Sequence, residues 1–269
     1  MYLEFFGLTE MPFNITPDPR FLFFSTRHRE AFDHLMYGIH NRKGFIELTG
    51  EVGSGKTTLC RALLSSLPSN VRTALVLNPS LTETQLLRAI LNDFGLQVKG
   101  RDRLAYIERL NEFLLEQIKE GNNVLLIIDE AQDLIPEVME QIRLLSNLET
   151  DQHKLMQIIL AGQPELHERL ARPEFRQLRQ RIIVTCKLQP LDENDTAAYI
   201  VHRLSVAGAS SEVVFDEGAI RMIYKFTVGT PRLINNVCDS ALLAGYVAGT
   251  RIIRVHEIKK AIAHMESAL

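Results

Sequence analysis

Gly50-Glu51-Val52-Gly53-Ser54-Gly55-Lys56-Thr57-Thr58 is the stretch on which the reading of this chain turns. It has the form G-x-x-x-x-G-K-[ST] of a phosphate-binding loop. The run Phe45-Ile46-Glu47-Leu48-Thr49 leads into it as a strand, and residues 59–67 lead out as a helix. Gly50, Gly53 and Gly55 let successive N–H groups turn into one concavity. The helix behind them adds its free N–H groups and the positive end of its dipole. Lys56 is placed to reach the β- and γ-phosphates and the Thr57 hydroxyl to hold Mg²⁺, while Glu51, Val52, Ser54 and Thr58 complete the candidate nucleotide contacts.

Downstream, Val124-Leu125-Leu126-Ile127-Ile128-Asp129-Glu130 is a continuous apolar run that ends in two carboxylates. Such a run is a strand buried on both faces, and its C-terminal end lies on the edge where α/β sheets bind ligands. Asp129 fits a Mg²⁺ ligand acting with Thr57. Glu130 fits the general base that polarises an attacking water. The other reading of the pair is a solvated helix start.

The flanking segments complete the pattern. Residues 28–41 read as a helix, 73–77 as a strand ended by Asn78-Pro79, and 82–94 and 103–120 as helices. Residues 136–148 read as a helix with proline in its first turn, 155–161 as a fourth strand, and 174–180 as a short basic helix before a fifth strand, 182–188. Strands alternating with helices imply a five-stranded parallel sheet. Gln163 follows the fourth strand, one strand over from the carboxylates. There it either contacts the γ-phosphate or the water, or caps the helix that begins at Pro164. After Gln189-Pro190 strands stop. Helical stretches follow at 192–206, 216–227, 231–248 and 255–265, with Asp216 as an N-cap and Phe215 and Ile220 as a hydrophobic staple.

The expected organisation is therefore an N-terminal segment (1–27), an α/β nucleotide-binding domain (28–190) and a small all-helical domain (191–269). In the first, Phe5, Phe6, Phe13, Phe21, Phe23 and Phe24 alternate with Pro12, Pro17 and Pro19. Prolines this dense prevent a long helix, so the segment reads as an extended linker whose aromatics dock on the main domain. In many nucleotide-binding ATPases such a linker walls the adenine pocket.

Composition sets bounds. The chain has 269 residues, 46% hydrophobic and 23% charged, as a globular protein with a real core requires. The net charge of −3 gives no bulk attraction to nucleic acid or acidic lipid. Cys60, Cys186 and Cys238 have no metal or redox spacing and read as buried, reduced thiols of a cytoplasmic protein, and the eight histidines lack ligand spacing. No apolar run approaches the roughly 18 residues of a membrane helix, and the N-terminus has no signal-peptide pattern.

A five-stranded phosphate-loop domain followed by a helical lid resembles an AAA+ ATPase. The matching features are residues 50–57, Asp129-Glu130, a polar residue after the fourth strand, arginines before the fifth, and Gly229-Thr230-Pro231-Arg232 in the lid. The opening Phe5-Phe6-Gly7-Leu8, with Pro12-Phe13, Pro17-Asp18-Pro19 and Phe21-Leu22-Phe23, is similar to the general secretion pathway protein A family. That family includes related ATPases of pilus and exopolysaccharide-export loci. Asp129-Glu130-Ala131-Gln132 and Ala161-Gly162-Gln163-Pro164-Glu165-Leu166 fit the same group.

The resemblance implies a cytoplasmic ATPase that binds ATP and Mg²⁺ between core and lid. Arg232 would sense the phosphates from the lid. One of Arg176, Arg179 and Arg181, with Arg181 first, would act as an arginine finger in a neighbouring subunit of a homo-oligomer. The implied role is to energise or license assembly of an envelope complex such as a secretin or pilus, through a protein partner. Larger family members continue into a membrane helix and a peptidoglycan-binding domain, so the expectation is a short member or the cytoplasmic part of a longer one. Many AAA+ proteins have Asn or Thr where this chain has Gln163. The alternatives are a DNA-associated AAA+ ATPase, such as a transposition helper or initiator-like protein, and a nucleotide-dependent interaction switch with negligible turnover. The acidic charge and the lack of a separate DNA-reading domain weigh against the DNA-associated reading.

Overall fold

The structure is a computed structural model that describes residues 2–16, 18–77, 80–98, 100, 102–149, 154–209 and 213–267. Met1, Pro17 and the strand-ending Asn78-Pro79 lie outside the described residues. The chain folds as two compact units. One comprises Arg29–Val52 and Leu59–Leu188, the other Met1–His28, Gly53–Thr58 and Gln189–Leu269.

In chain order the first half holds α1 (Tyr2–Phe6), α2 (Thr26–His40), β1 (Phe45–Gly50), α3 (Lys56–Ser66), β2 (Val71–Val76), α4 (Glu83–Asp93), α5 (Arg103–Lys119) and β3 (Asn123–Ile128). Next come α6 (Pro136–Leu145), β4 (Gln157–Gly162), α7 (Pro164–Leu170), α8 (Arg176–Arg179) and β5 (Ile182–Leu188). The remainder is α9 (Glu193–Val206), β6 (Val214–Phe215), α10 (Glu217–Thr227), α11 (Pro231–Ala248), β7 (Ile252–Ile253) and α12 (Val255–Glu266).

The α/β unit is built on one parallel sheet of order β2-β3-β4-β1-β5. Every residue of β1, β3 and β4 is buried, as their near-continuous apolar runs require, while the outer strands β2 and β5 are only partly covered. Leu86, Leu87, Ile90 and Leu91 of α4 share a core with Leu110 and Leu114 of α5, Val138 and Ile142 of α6, and the strands. Truncating one of these leucines to alanine costs about 2–5 kcal/mol. Helix ends are fixed locally. Thr82 and Gln85 form a reciprocal capping box at α4, and Asp102 accepts the Ala105 N–H at 2.9 Å ahead of α5; such caps contribute about 1 kcal/mol each. The register pairs Ile128 with Leu160 and Thr49 with Gly162, so the C-terminal ends of β3, β4 and β1 stand side by side with β4 in the middle. Two boundaries differ from the apolar pattern. β2 spans Val71–Val76, and Leu155 and Met156 fill the core before β4 pairing begins at Gln157.

The second unit corrects two expectations. Most of the N-terminal aromatics find their core within the second unit: Phe6, Leu8, Phe13 and Phe21 are buried in one core with Leu191, Tyr199, Ile223, Ile234 and Leu242 of the C-terminal helices. The reason is a matching set of polar contacts. Arg203 is buried on α9 and donates to the Pro12 carbonyl, to the Asn14 carbonyl at 2.9 Å and to the Tyr199 hydroxyl at 3.0 Å, with its guanidinium 4.6 Å from the Phe21 ring centre. The Thr9 N–H and hydroxyl both reach the Ala207 carbonyl at 2.9 Å. The segment is also not wholly extended, because α1 forms ahead of the first proline. Second, the C-terminal region is not purely helical. β6 and β7 form a two-residue parallel ladder, Val214 with Ile252 and Phe215 with Ile253. Asp192 caps α9 and Asp216 caps α10 through the Asp195 and Ala219 N–H groups. Phe215 and Ile220 pack into the same core, as the staple reading expects.

The three cysteines are free and buried. Burial pushes the Cys186 thiol up to about 11 and the Cys238 thiol well above its ordinary value, so both are protonated and poor nucleophiles.

Candidate functional site

The phosphate-type loop leaves β1 at Gly50 and enters α3 at Lys56. Gly53 has φ +76° and Gly55 φ +99°, backbone that an L side chain rarely adopts. Gly53 is also closely approached: a Cβ there would lie 2.5 Å from Cβ of Arg232. The Arg232 N–H donates to the Gly53 carbonyl at 3.2 Å, so the start of α11 is tied to the loop by main chain as well as by the arginine stem. Pro231, at the first turn of α11, has no N–H to leave unpaired there.

A second clamp comes from the start of α2. His28 is buried, with Nε2 3.3 Å from the Ser54 carbonyl and Nδ1 2.8 Å from Ser25 Oγ. A carbonyl only accepts, so Nε2 carries the proton and Nδ1 accepts from the serine hydroxyl. Burial lowers the His28 pKa, and the Ser54 carbonyl and then Asp195 oppose that effect more weakly. The ring is therefore neutral near pH 7. This role is not visible in the sequence, where His28 reads only as a helix start.

Ser54 is 1% exposed and its Oγ has no hydrogen-bond partner among the described residues. A buried hydroxyl without a partner costs free energy, and here it belongs to a loop shaped by two left-handed glycines at a helix N-terminus. A phosphate oxygen at that loop supplies the missing acceptor, so these residues fit a phosphate group. Lys56 is 5% exposed and opens α3, followed by Thr57.

At the end of β3 the Asp129 N–H donates to the Val76 carbonyl at 2.9 Å, extending the β2–β3 pairing by one residue. Asp129 is 2% exposed, and its Oδ1 accepts the Glu130 N–H at 2.9 Å. Glu130 has φ 52° and ψ 37°, a left-handed conformation uncommon outside glycine that clusters at functional sites. Its Oε2 accepts from Gln132 Nε2 at 2.8 Å and from Gln163 Nε2 at 3.4 Å. Gln163 therefore reaches the carboxylate: it stands at the N-cap of α7, and its side chain makes no capping bond. The motif Asp129-Glu130-Ala131-Gln132 alone assigns Gln132 no role. The available signal was its i+2 spacing from Glu130 in the 3-10 turn Ala131–Asp133.

The arginines separate. Arg232 is exposed beyond the stem that covers Gly53. Arg181 is half-buried and donates to Ser146 Oγ and Asn147 Oδ1 of its own chain. Arg176 and Arg179 on α8 are exposed, and Arg179 makes a 3.5 Å contact with the Ala171 carbonyl. Among the described residues no group of three or more His, Cys, Asp or Glu is gathered to hold a metal, and no helix is long and apolar enough to cross a membrane.

Comparison with known proteins agrees with the resemblance carried by the motifs. Residues 39–170 match the AAA domain family. General secretion pathway protein A of Aeromonas hydrophila is 46% identical over 254 residues, which is 94% of this chain and 46% of that protein, so this chain spans less than half of its relative's length. Among solved structures, Cdc6p of Pyrobaculum aerophilum superposes with a TM-score of 0.70 at 16% identity, over 96% of this chain and 70% of that one. Drosophila ORC bound to DNA superposes with a TM-score of 0.68 at 18% identity, over 94% and 64%. At that identity these structures establish the fold: an AAA-type α/β core with a C-terminal helical region. The fold is a nucleotide-binding one.

Proposed function

We propose that this chain, an AAA-domain relative of general secretion pathway protein A, binds ATP with Mg²⁺ and hydrolyses it. The observation that carries the reading is the edge of the parallel sheet. Two strand ends of that sheet carry it: β1 runs into a loop with two left-handed glycines and a buried Ser54 hydroxyl that has no partner among the described residues, and β3 ends in Asp129 and a left-handed Glu130. In this reading the loop amides from Gly50 to Thr58 and the Lys56 ammonium hold the phosphates. A Thr57 hydroxyl and an Asp129 carboxylate are the hard oxygen donors that Mg²⁺ takes alongside phosphate and water, and the ion would neutralise charge on the β- and γ-phosphates. Glu130 accepts the proton of the attacking water. Gln163, hydrogen-bonded to Glu130, lies within reach of the same water. Arg232 adds a cation from the lid.

The cellular role we infer is to energise or license assembly of an envelope secretion or pilus complex through a protein partner; the relative's name supports only the secretion part of it. The active form is a homo-oligomer in which an arginine from one chain completes the site of the next. Arg176 and Arg179 are exposed, whereas Arg181 would have to release Ser146 and Asn147 to serve a neighbour. That moves the two α8 arginines ahead of Arg181.

The test is to compare the protein with K56A and E130Q. Lys56→Ala should abolish ATP binding. Glu130→Gln should keep binding and stop turnover, because an amide cannot take the proton. An E130Q protein that hydrolyses ATP at the wild-type rate removes Glu130 from the mechanism. Tight, ATP-dependent binding to duplex DNA that falls steeply between low and physiological salt would replace the secretion role with a DNA-associated one.

A further inference from the structure

We infer that Gln132 is a positioning residue for the Glu130 carboxylate, an inference that rests on the reading of Glu130 as the base. The Gln132 amide is used at both ends. Its Oε1 accepts the backbone N–H of Gln163 at 3.0 Å, at the junction of β4 and α7, and its Nε2 donates to Glu130 Oε2 at 2.8 Å and, at a longer 3.3 Å, to Asp133 Oδ2. One end is thus anchored to the rigid frame of the sheet and the other holds the carboxylate. The Gln132 main chain is held as well, its carbonyl accepting from Arg169 Nη1 on α7.

The neighbouring strand leaves room for this bridge. A Cβ at Gly162 would lie 2.8 Å from Gln132 Oε1 and 3.0 Å from Leu166, so a side chain at 162 would push the amide aside. Gln163 Nε2 approaches the same Glu130 oxygen from the other side at 3.4 Å. Both donors fall on Oε2, and among the described residues Oε1 takes no hydrogen bond. Two amides therefore fix which carboxylate oxygen faces the protein and which is presented to water. The Glu130 carboxylate needs such support, because a glutamate side chain has three rotatable bonds and otherwise has several rotamers within reach. A carboxylate misplaced by about 1 Å can cost on the order of 100-fold in rate.

Gln132→Glu separates positioning from mere support of the turn. Glutamate is nearly isosteric and still offers an oxygen to the Gln163 N–H, but it replaces the donor facing Glu130 with a second carboxylate. We expect kcat to fall by tenfold or more, up to about 100-fold, with ATP affinity and unfolding midpoint within twofold and 2 °C of wild type. Gln132→Met, which removes both bonds, should match it in kcat. Full kcat in Q132E overturns the inference. So does a rise in kcat, which would make Gln132 a restraint on Glu130. A loss of ATP affinity or of folding in parallel with kcat also overturns it, by making Gln132 a structural brace. Glu130→Gln run alongside keeps the two readings apart. If E130Q is active, the base assignment fails whatever Q132E does. If E130Q is inactive and Q132E is fully active, only the Gln132 inference fails.

Discussion

Gly53→Ala is the sharpest perturbation the geometry offers, because two separable costs meet at one atom. The first is backbone. Gly53 sits at φ +76°, and an L residue held there costs about 1–2 kcal/mol. The second is contact. The added Cβ would stand 2.5 Å from Cβ of Arg232 and 3.2 Å from its Cδ, where carbon atoms settle about 3.5–4.0 Å apart. The Arg232 Cβ cannot swing away as a side-chain tip can, so α11 or the loop must move, at about 1–3 kcal/mol for overpacking of this kind. Together the costs come to about 2–5 kcal/mol, and at about 1.4 kcal/mol per tenfold the lower bound is about 30-fold.

The cost appears in one of two places. If the loop keeps its shape without nucleotide, stability falls. If the loop relaxes, stability is kept and the cost returns when phosphate demands the native shape. The assay therefore reads both denaturant unfolding and the Kd of a fluorescent ATP analogue, and adds the two free-energy losses. Gly249→Ala is the control: Gly249 has φ +68° with nothing within 4 Å of the added Cβ. It should lose about 1–2 kcal/mol of stability and leave the Kd alone. A G53A protein with wild-type stability and wild-type Kd would refute the close approach of Arg232 and the left-handed backbone as constraints on the loop.

Two further outcomes follow from the same structure. His28 and His202 have pKa values lowered by burial, so the unfolded chain binds protons more readily than the folded one. Their contribution to stability is complete above the unfolded value of about 6.5 and is lost as pH falls from there toward the folded pKa; urea midpoints should drop between pH 7.5 and 5.5, and His28→Gln should flatten part of that slope. For the arginine finger, R176A, R179A and R181A should each be mixed with E130Q. The pair that contains the true finger regains activity neither member has alone, against a deficit of about 10³–10⁵ for a missing finger, and no recovery in any co-assembled mixture removes the trans finger.

Much of the α/β unit was legible because burial on both faces leaves a plain mark. β1, β3 and β4 are mostly apolar runs buried along their whole length, and Asp129-Glu130 and Gln163 follow directly on the ends of β3 and β4. The N-cap at Asp216 was legible for a local reason, a carboxylate directly ahead of an apolar-periodic stretch. The illegible parts depend on partners distant in sequence. An apolar Leu155-Met156 looks like strand, yet β4 pairs only from Gln157, opposite Leu125 of β3, and from Ile158, opposite Phe45 of β1. The Phe-rich segment announces that it docks, but the surface it docks on is chosen by Arg203, some 190 residues away. The β6–β7 ladder is two residues long, too short for alternation to register. Arg181 before β5 matched the family pattern, and its bonds to Ser146 and Asn147 were not readable from spacing.

Nucleotide would be felt by the second unit through the loop itself. Residues Gly53–Thr58 fold with the N-terminal segment and the C-terminal helices. Two consecutive carbonyls of that loop are held from two directions: Gly53 by the Arg232 N–H at the start of α11, and Ser54 by His28 at the start of α2. A phosphate that reshapes the loop must stretch or strengthen both bonds together. Each is worth about 1 kcal/mol net, so the differential available to the pair is about 2 kcal/mol, or about 30-fold. This is the usual scale of coupling between sites, and it falls short of the roughly 5.5 kcal/mol needed to drive a two-state element from one extreme to the other. Nucleotide acting through these two clamps would bias the helical unit rather than lock it, and the rest of the bias must come from whatever else binds that unit.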